Sequence, residues 1–203
     1  MCCRKKNKTI HSIWDSNDTD RGSNYGELGV DLPEIKEVNL PKYSIDGFFS
    51  VISKGNVDKV KEYLDNGLDI ECRNSEGDTP LIWASIYGQS EVVDLLLKHG
   101  ANPDVESNLY CIIPLIKASA RGYKEIVDLL LKHGANPNIK DKYGETSIYM
   151  ASRYGYKDIV DLLLKYGANP NVKDEDGETP LKIASSKGYK DIVTLLKNFG
   201  AKE

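Results

Sequence analysis

The sequence predicts an all-α solenoid built from stacked helix-turn-helix units. The main observation is a phrase that returns along the chain: KHGANP begins at Lys98 and again at Lys132, KYGANP begins at Lys165, and a degenerate KNFGAK begins at Lys197. The glycines of this phrase, together with the earlier Gly67, lie 33, 34, 33 and 33 residues apart. A period near 33 indicates units that cannot bury an apolar face alone and must stack on their neighbours.

The first helix of each unit is predicted from its two ends. Thr79 suits the N-cap position and Pro80 suits the first helical position, while Gly88 ends the helix about two turns later. The fifth unit repeats this arrangement with Thr179, Pro180 and Gly188.

A second helix follows directly in each unit. Acidic residues lie in its first turn and lysines in its last, so both ends oppose the helix dipole. The glycine of the repeated phrase then supplies a left-handed stop, and the Asn-Pro that follows in three units prevents the helix from continuing. The charged positions are Glu91, Glu125, Asp158 and Asp191 at the start and Lys98, Lys132 and Lys165 at the end.

Several positions agree at the same offsets in successive units, and this pattern resembles the ankyrin repeat. The matching residues are Thr79-Pro80-Leu81, Ala84 and Gly88 in one unit and Thr179-Pro180-Leu181, Ala184 and Gly188 in another. The resemblance covers about the last four-fifths of the chain. It implies an ankyrin repeat solenoid with short β-hairpin loops, which binds other proteins through the hairpin tips and the adjoining faces of the first helices.

The repeats divide the chain into a tail and a solenoid domain. We expect residues 1–43 to form a mostly disordered N-terminal tail, because a polar, glycine-bearing run there cannot bury enough apolar surface to offset the entropy of ordering. The solenoid is predicted at 44–203, with units at about 44–73, 74–107, 108–140, 141–173 and 174–203. The first and last are expected to be caps, because Lys59 and Glu62 replace core residues in the first and Lys197 replaces a leucine in the last.

Composition limits the classes of partner. The 27 basic and 31 acidic residues give a formal net charge of −4, which argues against nucleic acid as the main partner. From the sequence we expect no secretory signal and no segment that spans a bilayer, and the cysteines do not show the spacing typical of a disulfide framework or a metal site. We therefore expect a cytoplasmic monomer without cofactors, or a protein of a host cytoplasm if the chain is a host-directed effector.

The N-terminus allows an alternative. Cys2 and Cys3 stand beside a basic cluster, a pattern that resembles S-palmitoylated termini and would tether the protein to a membrane. The competing interpretation, a basic tail with two free thiols, is favoured because such compositional patterns are weak.

A cysteine-dependent enzyme is the candidate from a different class. Cys111 would need His99 or His133 nearby as a base, and the sequence places both histidines at helix ends that hold Tyr166 and Phe199 in later units. No phosphate-binding loop or nucleophile elbow is present. We therefore predict a non-catalytic protein-binding scaffold or adaptor.

The predicted binding surface combines tips and first-helix ends. Charged tips are expected in the second unit (Ser75, Glu76, Asp78), the fourth and the fifth (Glu175, Asp176, Glu178), whereas the third tip is apolar and has Cys111 in place of the hairpin glycine. Two interpretations of this third tip stay open: its apolar residues either fold back into the core or form an exposed anchor with a polar rim. The predicted protein-binding residues are Tyr87, Leu109, Tyr110, Ile112, Arg121, Tyr143, Arg153 and Tyr154.

Overall fold

The structure is a computed structural model that describes residues 43–108 and 111–202. These residues belong to one compact unit, Leu40–Glu203. The predicted tail, including Cys2 and Cys3, lies outside the described residues except for Tyr43, and so do Leu109 and Tyr110 of the third tip.

Two helices form each of the five predicted units. The first helices are α1 (Ile45–Ser53), α3 (Pro80–Tyr87), α5 (Pro114–Arg121), α7 (Ser147–Tyr154) and α9 (Pro180–Ser186). The second helices are α2 (Val57–Asp65), α4 (Ser90–Lys98), α6 (Lys124–Lys132), α8 (Lys157–Lys165) and α10 (Lys190–Asn198).

Local sequence explains where these helices begin and end. The hydroxyl of Thr79 accepts a hydrogen bond from the backbone N–H of Ile82 at 3.5 Å, and Thr146 and Thr179 cap α7 and α9 in the same way. Ile113 stands at this position before α5 and provides no such cap. Pro114 nevertheless begins α5 where Pro80 begins α3, so the third unit keeps its helical register.

The helices form two layers. First helices pack on the first helices of adjacent units, and second helices pack on second helices, while each unit also packs its own pair together. The core lies between the layers and includes Leu96, Leu130 and Leu163, all with 0% of their surface exposed. Each unit therefore buries its apolar side only with the help of its neighbours.

At three of the four junctions between units, a tyrosine of one unit packs on a glycine of the preceding unit. Tyr123 is the N-cap residue of α6, and its ring lies against Gly88 of the preceding unit. A Cβ on Gly88 would lie only 2.9 Å from the ring Cζ. The same pairing joins Tyr156 to Gly122 and Tyr189 to Gly155. At the first junction Gln89 takes the place of tyrosine and donates a hydrogen bond to the carbonyl of Ser53 at 2.8 Å.

Hydrogen bonds between side chains and backbone also join adjacent units. One acceptor side chain in each of the first four units receives a hydrogen bond from a backbone N–H of the next unit. The four pairs are Glu71 with Asn102, Asp104 with Asn136, Asn138 with Asn169, and Asn171 with Lys202, at 2.7–2.9 Å. These bonds fix the units along the stack.

The two end units carry charged residues where inner units are apolar. Leu97, Leu131 and Leu164 are 4–6% exposed, whereas the equivalent Lys197 is exposed. In α2, Lys59 and Glu62 form an ion pair with N and O atoms 3.5 Å apart, and only Val60 of that helix is buried. Lys59, Glu62 and Lys197 are the residues on which the prediction of two caps rests, and the caps stay a prediction. Among the described residues, no helix is long and apolar enough to cross a bilayer.

Candidate functional site

One position repeats at the ends of α3, α5 and α7 and forms the centre of the candidate site, whereas α9 ends one residue earlier, at Ser186. Tyr87, Arg121 and Tyr154 each close their helix directly before a left-handed glycine. Tyr87 is 47% exposed and Tyr154 is 48% exposed, and Arg121 is also exposed. We call these three residues the helix-end row. Large side chains with both an apolar body and a polar end are typical of interface hot spots.

Neighbouring groups hold the members of this row in place. The guanidinium of Arg121 donates a hydrogen bond to the carbonyl of Ile86 in the preceding unit at 2.8 Å. The ring of Tyr87 lies 5.1 Å from the ring of Trp83, measured between centroids. Because these contacts restrict the side chains before binding, a partner would lose less rotamer entropy on meeting them.

Arg153 connects the helix ends to the tips. Its guanidinium lies 3.0 Å from Oε1 of Glu145 and 5.9 Å from the ring centroid of Tyr154. Burial, followed by the charge of Asp141, raises the pKa of the Glu145 carboxyl, although Arg153 opposes the shift. The predicted residues Arg153 and Tyr154 therefore lie together with Glu145 at the base of the fourth tip.

The tips are tight turns, and no residue in the described ranges is assigned to a strand. In the second, fourth and fifth units, one side chain holds the turn by accepting a backbone N–H four residues later. These pairs are Asn74 with Asp78, Asp141 with Glu145, and Asp174 with Glu178, at 2.8–3.0 Å. The predicted hairpin loops are thus closed by short-range side-chain caps.

The third tip differs by one residue. Ser107 and Ile112 close it, with the N–H of Ser107 donating to the carbonyl of Ile112 at 3.0 Å and the N–H of Ile112 donating to the hydroxyl of Ser107 at 3.2 Å. The enclosed loop is therefore one residue longer than the other tips, which accounts for the 34-residue interval. Cys111 has φ 52°, where the other described tips have a left-handed glycine.

Two apolar residues of the third tip, Ile112 and Ile113, lie within the described residues. Ile112 is half-buried and packs against the core, and Ile113 is 2% exposed. These two positions agree with the interpretation in which the tip folds back. Leu109 and Tyr110 lie outside the described residues, so their predicted role as an exposed anchor stays a prediction.

The burial of Asp78 contradicts the expectation that it forms part of a charged tip on the binding surface. The sequence grouped it with the charged binding positions, but it is 1% exposed. Burial, and next the charge of Glu76, raises the pKa of its carboxyl against the opposing effects of a hydrogen bond from Ser107 and of Arg73 and Lys117. Lys117 of α5 is half-buried, and its positive charge is one of the effects that lower this pKa. One feature of the sequence indicates that Asp78 is buried: the equivalent position of the next unit holds an apolar residue, Ile112.

The thiol of Cys111 lacks the surroundings of a nucleophile. A hydrogen bond with Glu106, followed by burial, raises its pKa, whereas a reactive thiolate requires a lowered pKa. The hollow beside it is lined by nine described residues, none of which is histidine. His99 and His133 are exposed C-cap residues of α4 and α6. The described residues also contain no group of three or more side chains arranged to hold a metal ion.

Comparison with known proteins agrees with the stacked units. The family model for ankyrin repeats (3 copies) matches residues 48–141 and 115–202. A similar protein is Ankyrin repeat, SAM and basic leucine zipper domain-containing protein 1 of Mustela putorius furo, with 33% identity over 98 residues, which is 48% of this chain and 21% of that protein. The DNA-binding protein RFXANK of Homo sapiens is 43% identical over 54 residues, which is 26% of this chain and 21% of that protein.

The chain thus spans about a fifth of the length of these relatives. The family model alone extends over most of the solenoid, from the first unit to the last. The matched segments coincide with the stacked helix pairs, the capped first helices and the glycine stops described above. This chain belongs to the ankyrin repeat family.

Proposed function

We propose that this protein is a non-catalytic scaffold or adaptor that binds a partner protein through its helix-end row and the adjoining tips. Ankyrin repeats are protein-protein interaction modules, which supports the general function. The observation that carries the specific site is the exposure of Tyr87, Arg121 and Tyr154 at one repeated position. A periodic row of such residues offers a continuous surface to an elongated partner.

Two observations favour binding over catalysis. The raised pKa of Cys111 and the exposed, separate positions of the two histidines give no pairing of nucleophile and base. The side chains of the helix-end row instead contact backbone and aromatic groups, which orients them without activating them chemically.

Site-specific photocrosslinking tests the proposed surface. A photoreactive phenylalanine analogue is placed at Tyr87 or Tyr154 of the full chain, and crosslinked proteins are identified by mass spectrometry from cells that express each variant. The matched control is Tyr166, which is 40% exposed but ends a second helix. We expect the same partner to be captured from positions 87 and 154 and not from 166. Capture only from 166 would move the interface to the second-helix layer and contradict the proposal.

The location of the protein is a separate proposal. We place it in the cytoplasm, or in a host cytoplasm if it is an effector, with a membrane tether through Cys2 and Cys3 as the alternative. Fractionation of the chain and of a Cys2→Ser, Cys3→Ser variant separates these cases, because only a lipid tether makes the membrane fraction depend on those thiols.

A further inference from the structure

Two hollows meet at Tyr143, which is 55% exposed on the fourth tip. One hollow lies between the third and fourth tips and the other between the fourth and fifth. Tyr143 and Glu145 line both of them. The tyrosine ring is therefore the wall between two chemically different sites, and a single bound segment that crosses it would contact both.

The first hollow has an apolar floor. Its lining includes the apolar Ile112, Ile113, Ile116 and Met150, with Lys117, Asp141 and Glu145 beside them, and its volume is about 120 Å³. This is well below the roughly 300–1,000 Å³ of sites that hold small-molecule ligands. The hollow adjoins the longer third tip, and its size and lining suit one aliphatic side chain of a partner.

The second hollow is acidic. Glu145, Asp174, Glu175 and Asp176 line it together with Tyr143 and Arg153. Arg153 is paired with Glu145, whereas none of the three fifth-tip carboxylates that line the hollow forms an ion pair with a lysine or arginine among the described residues. Asp174, Glu175 and Asp176 lie close together at one tip, so their negative charges repel one another. On the neighbouring helix α7, burial is the main cause that raises the pKa of Tyr149, and the hydrogen bond with Asp174 and its charge add to this shift. A cation that entered this hollow would relieve that repulsion.

The protein's own cations show which group the surface accommodates. The ammonium of Lys142 lies 4.9 Å from the ring centroid of Tyr143, and the guanidinium of Arg153 lies 5.9 Å from the ring of Tyr154. Tyr143, which lines the acidic hollow, therefore already has a cation over its ring, and Arg153, which also lines the hollow, has its guanidinium over the ring of Tyr154. A guanidinium can stack on an aromatic ring and pair with a carboxylate at once, which an ammonium does less well.

We propose that the surface around Tyr143 binds an extended segment of a partner protein that carries an aliphatic residue and an arginine close together in sequence. The aliphatic side chain occupies the hollow beside Ile113 and Met150, the arginine occupies the hollow beside Glu175 and Asp176, and the segment crosses Tyr143 between them. This proposal deepens the protein-binding function proposed above and rests on it, since it assigns the partner chemistry for one part of the same surface.

Fluorescence anisotropy with three labelled peptides tests this partner class on the full-length protein. The first peptide has three Leu-Gly-Arg-Gly repeats, the second has serine in place of leucine, and the third has glutamate in place of arginine. We expect the first to bind at least about fivefold more tightly than either of the others, in line with the loss of a hot-spot contact. Equal binding of the leucine and serine peptides, or no saturable binding of the first, would overturn the proposal.

Matched protein variants separate a specific site from general attraction to an acidic protein. The double variant Glu175→Gln, Asp176→Asn removes two charges from the hollow, and we expect it to bind the first peptide about five- to tenfold more weakly. The control Glu91→Gln, Glu125→Gln changes the net charge equally at exposed positions on second helices, and its affinity should stay within about twofold of wild type. Equal losses in the two double variants would overturn the proposal.

Tyr143→Ala completes the test. This substitution should weaken the binding of the first peptide about fivefold or more. The melting temperature should not change, because Tyr143 is exposed. Unchanged affinity would contradict the assignment of Tyr143 as the dividing wall. The photocrosslinks from positions 87 and 154 are independent of these peptides, so the surface can be confirmed even where this partner class fails.

Discussion

The ring of Tyr156 covers the Cα of Gly122, the residue that ends the first helix of the preceding unit. A Cβ added to Gly122 would lie 2.7 Å from Cε1 of that ring, and Gly122 has φ 77°. The glycine therefore meets two requirements at once: a left-handed backbone and room for a neighbouring aromatic ring. Gly134 has φ 87° but nothing within 4 Å of the same position, so the two glycines allow these requirements to be separated.

Gly122→Ala should destabilise the protein more than Gly134→Ala. Both substitutions place a β-carbon on a left-handed residue, which costs about 1–2 kcal/mol. Only Gly122→Ala also displaces a packed tyrosine, which we expect to add about 1–3 kcal/mol. Urea unfolding of both variants measures the difference. Equal unfolding midpoints would show that the tyrosine ring moves away without cost.

Leu130→Ala should lower the free energy of unfolding by about 2–5 kcal/mol, because Leu130 is 0% exposed and its loss leaves a cavity between units. Lys197→Ala, at an exposed position of the last unit, should change it by no more than about 0.5 kcal/mol. Chemical denaturation followed by circular dichroism compares the two. Similar midpoints would contradict the assignment of core and cap.

Cys111→Gly should stabilise the protein. Releasing the left-handed strain at φ 52° favours the folded state by about 1–2 kcal/mol, and the greater freedom of glycine in the unfolded chain offsets roughly 0.5–1 kcal/mol of it. The control is Cys111→Ser, which removes the thiol but keeps the β-carbon. A rise in melting temperature for glycine alone confirms the strain, whereas a rise for both variants would point to the thiol instead.

The stability gained from Asp78→Asn should depend on pH. Burial raises the pKa of this carboxyl in the folded state above the unfolded value of about 3.9. The protonated carboxyl therefore contributes stability that is fully present below the unfolded pKa and is lost as the pH rises through the folded pKa. The charged and polar groups that face it are Glu76, Arg73, Lys117 and Ser107.

Melting curves at pH 4 and pH 7 check this prediction. The asparagine variant lacks the ionisation, so its melting temperature relative to wild type should be higher at pH 7 than at pH 4. Asp58→Asn, at an exposed position of α2, is the control and should show little change in this difference. A larger gain for Asp78→Asn at pH 4 would contradict the sign of the shift.

The register of the solenoid could be predicted because local chemistry repeats in every unit. Thr79, Pro80 and Gly88 act on their own helix, so their effect does not depend on what lies beside it. The burial of Asp78 and the packing of Tyr123 on Gly88 could not be predicted in this way. Both depend on contacts with the next unit, which lies about 33 residues further along the chain.

Part of the candidate site could be proposed from the sequence. Tyr87, Arg121 and Tyr154 adjoin the tips and are residue types enriched in interface hot spots, and their role in binding stays a prediction. The hollow beside Met150 could not be proposed, because it adjoins a longer third tip and a neighbouring unit, and no single stretch of sequence contains it. The role of Leu109 and Tyr110 stays a prediction for the same physical reason: an added residue changes the path of the turn, and the turn sequence alone does not fix that path.

The tyrosine junctions determine how the number of units can change. Removal of residues 141–173 would bring Tyr189 against Gly122, which already packs on a tyrosine, so the shortened array would close with surfaces that fit. Removal of 74–107 would instead bring Tyr123 against Gly55, where Gln89 now stands. The later junctions are therefore interchangeable and the first is not. Loss or gain of one inner unit would therefore keep a junction of tyrosine and glycine, whereas loss of the second unit would replace the junction of Gln89 and Gly55 with one that this protein does not contain among its described residues.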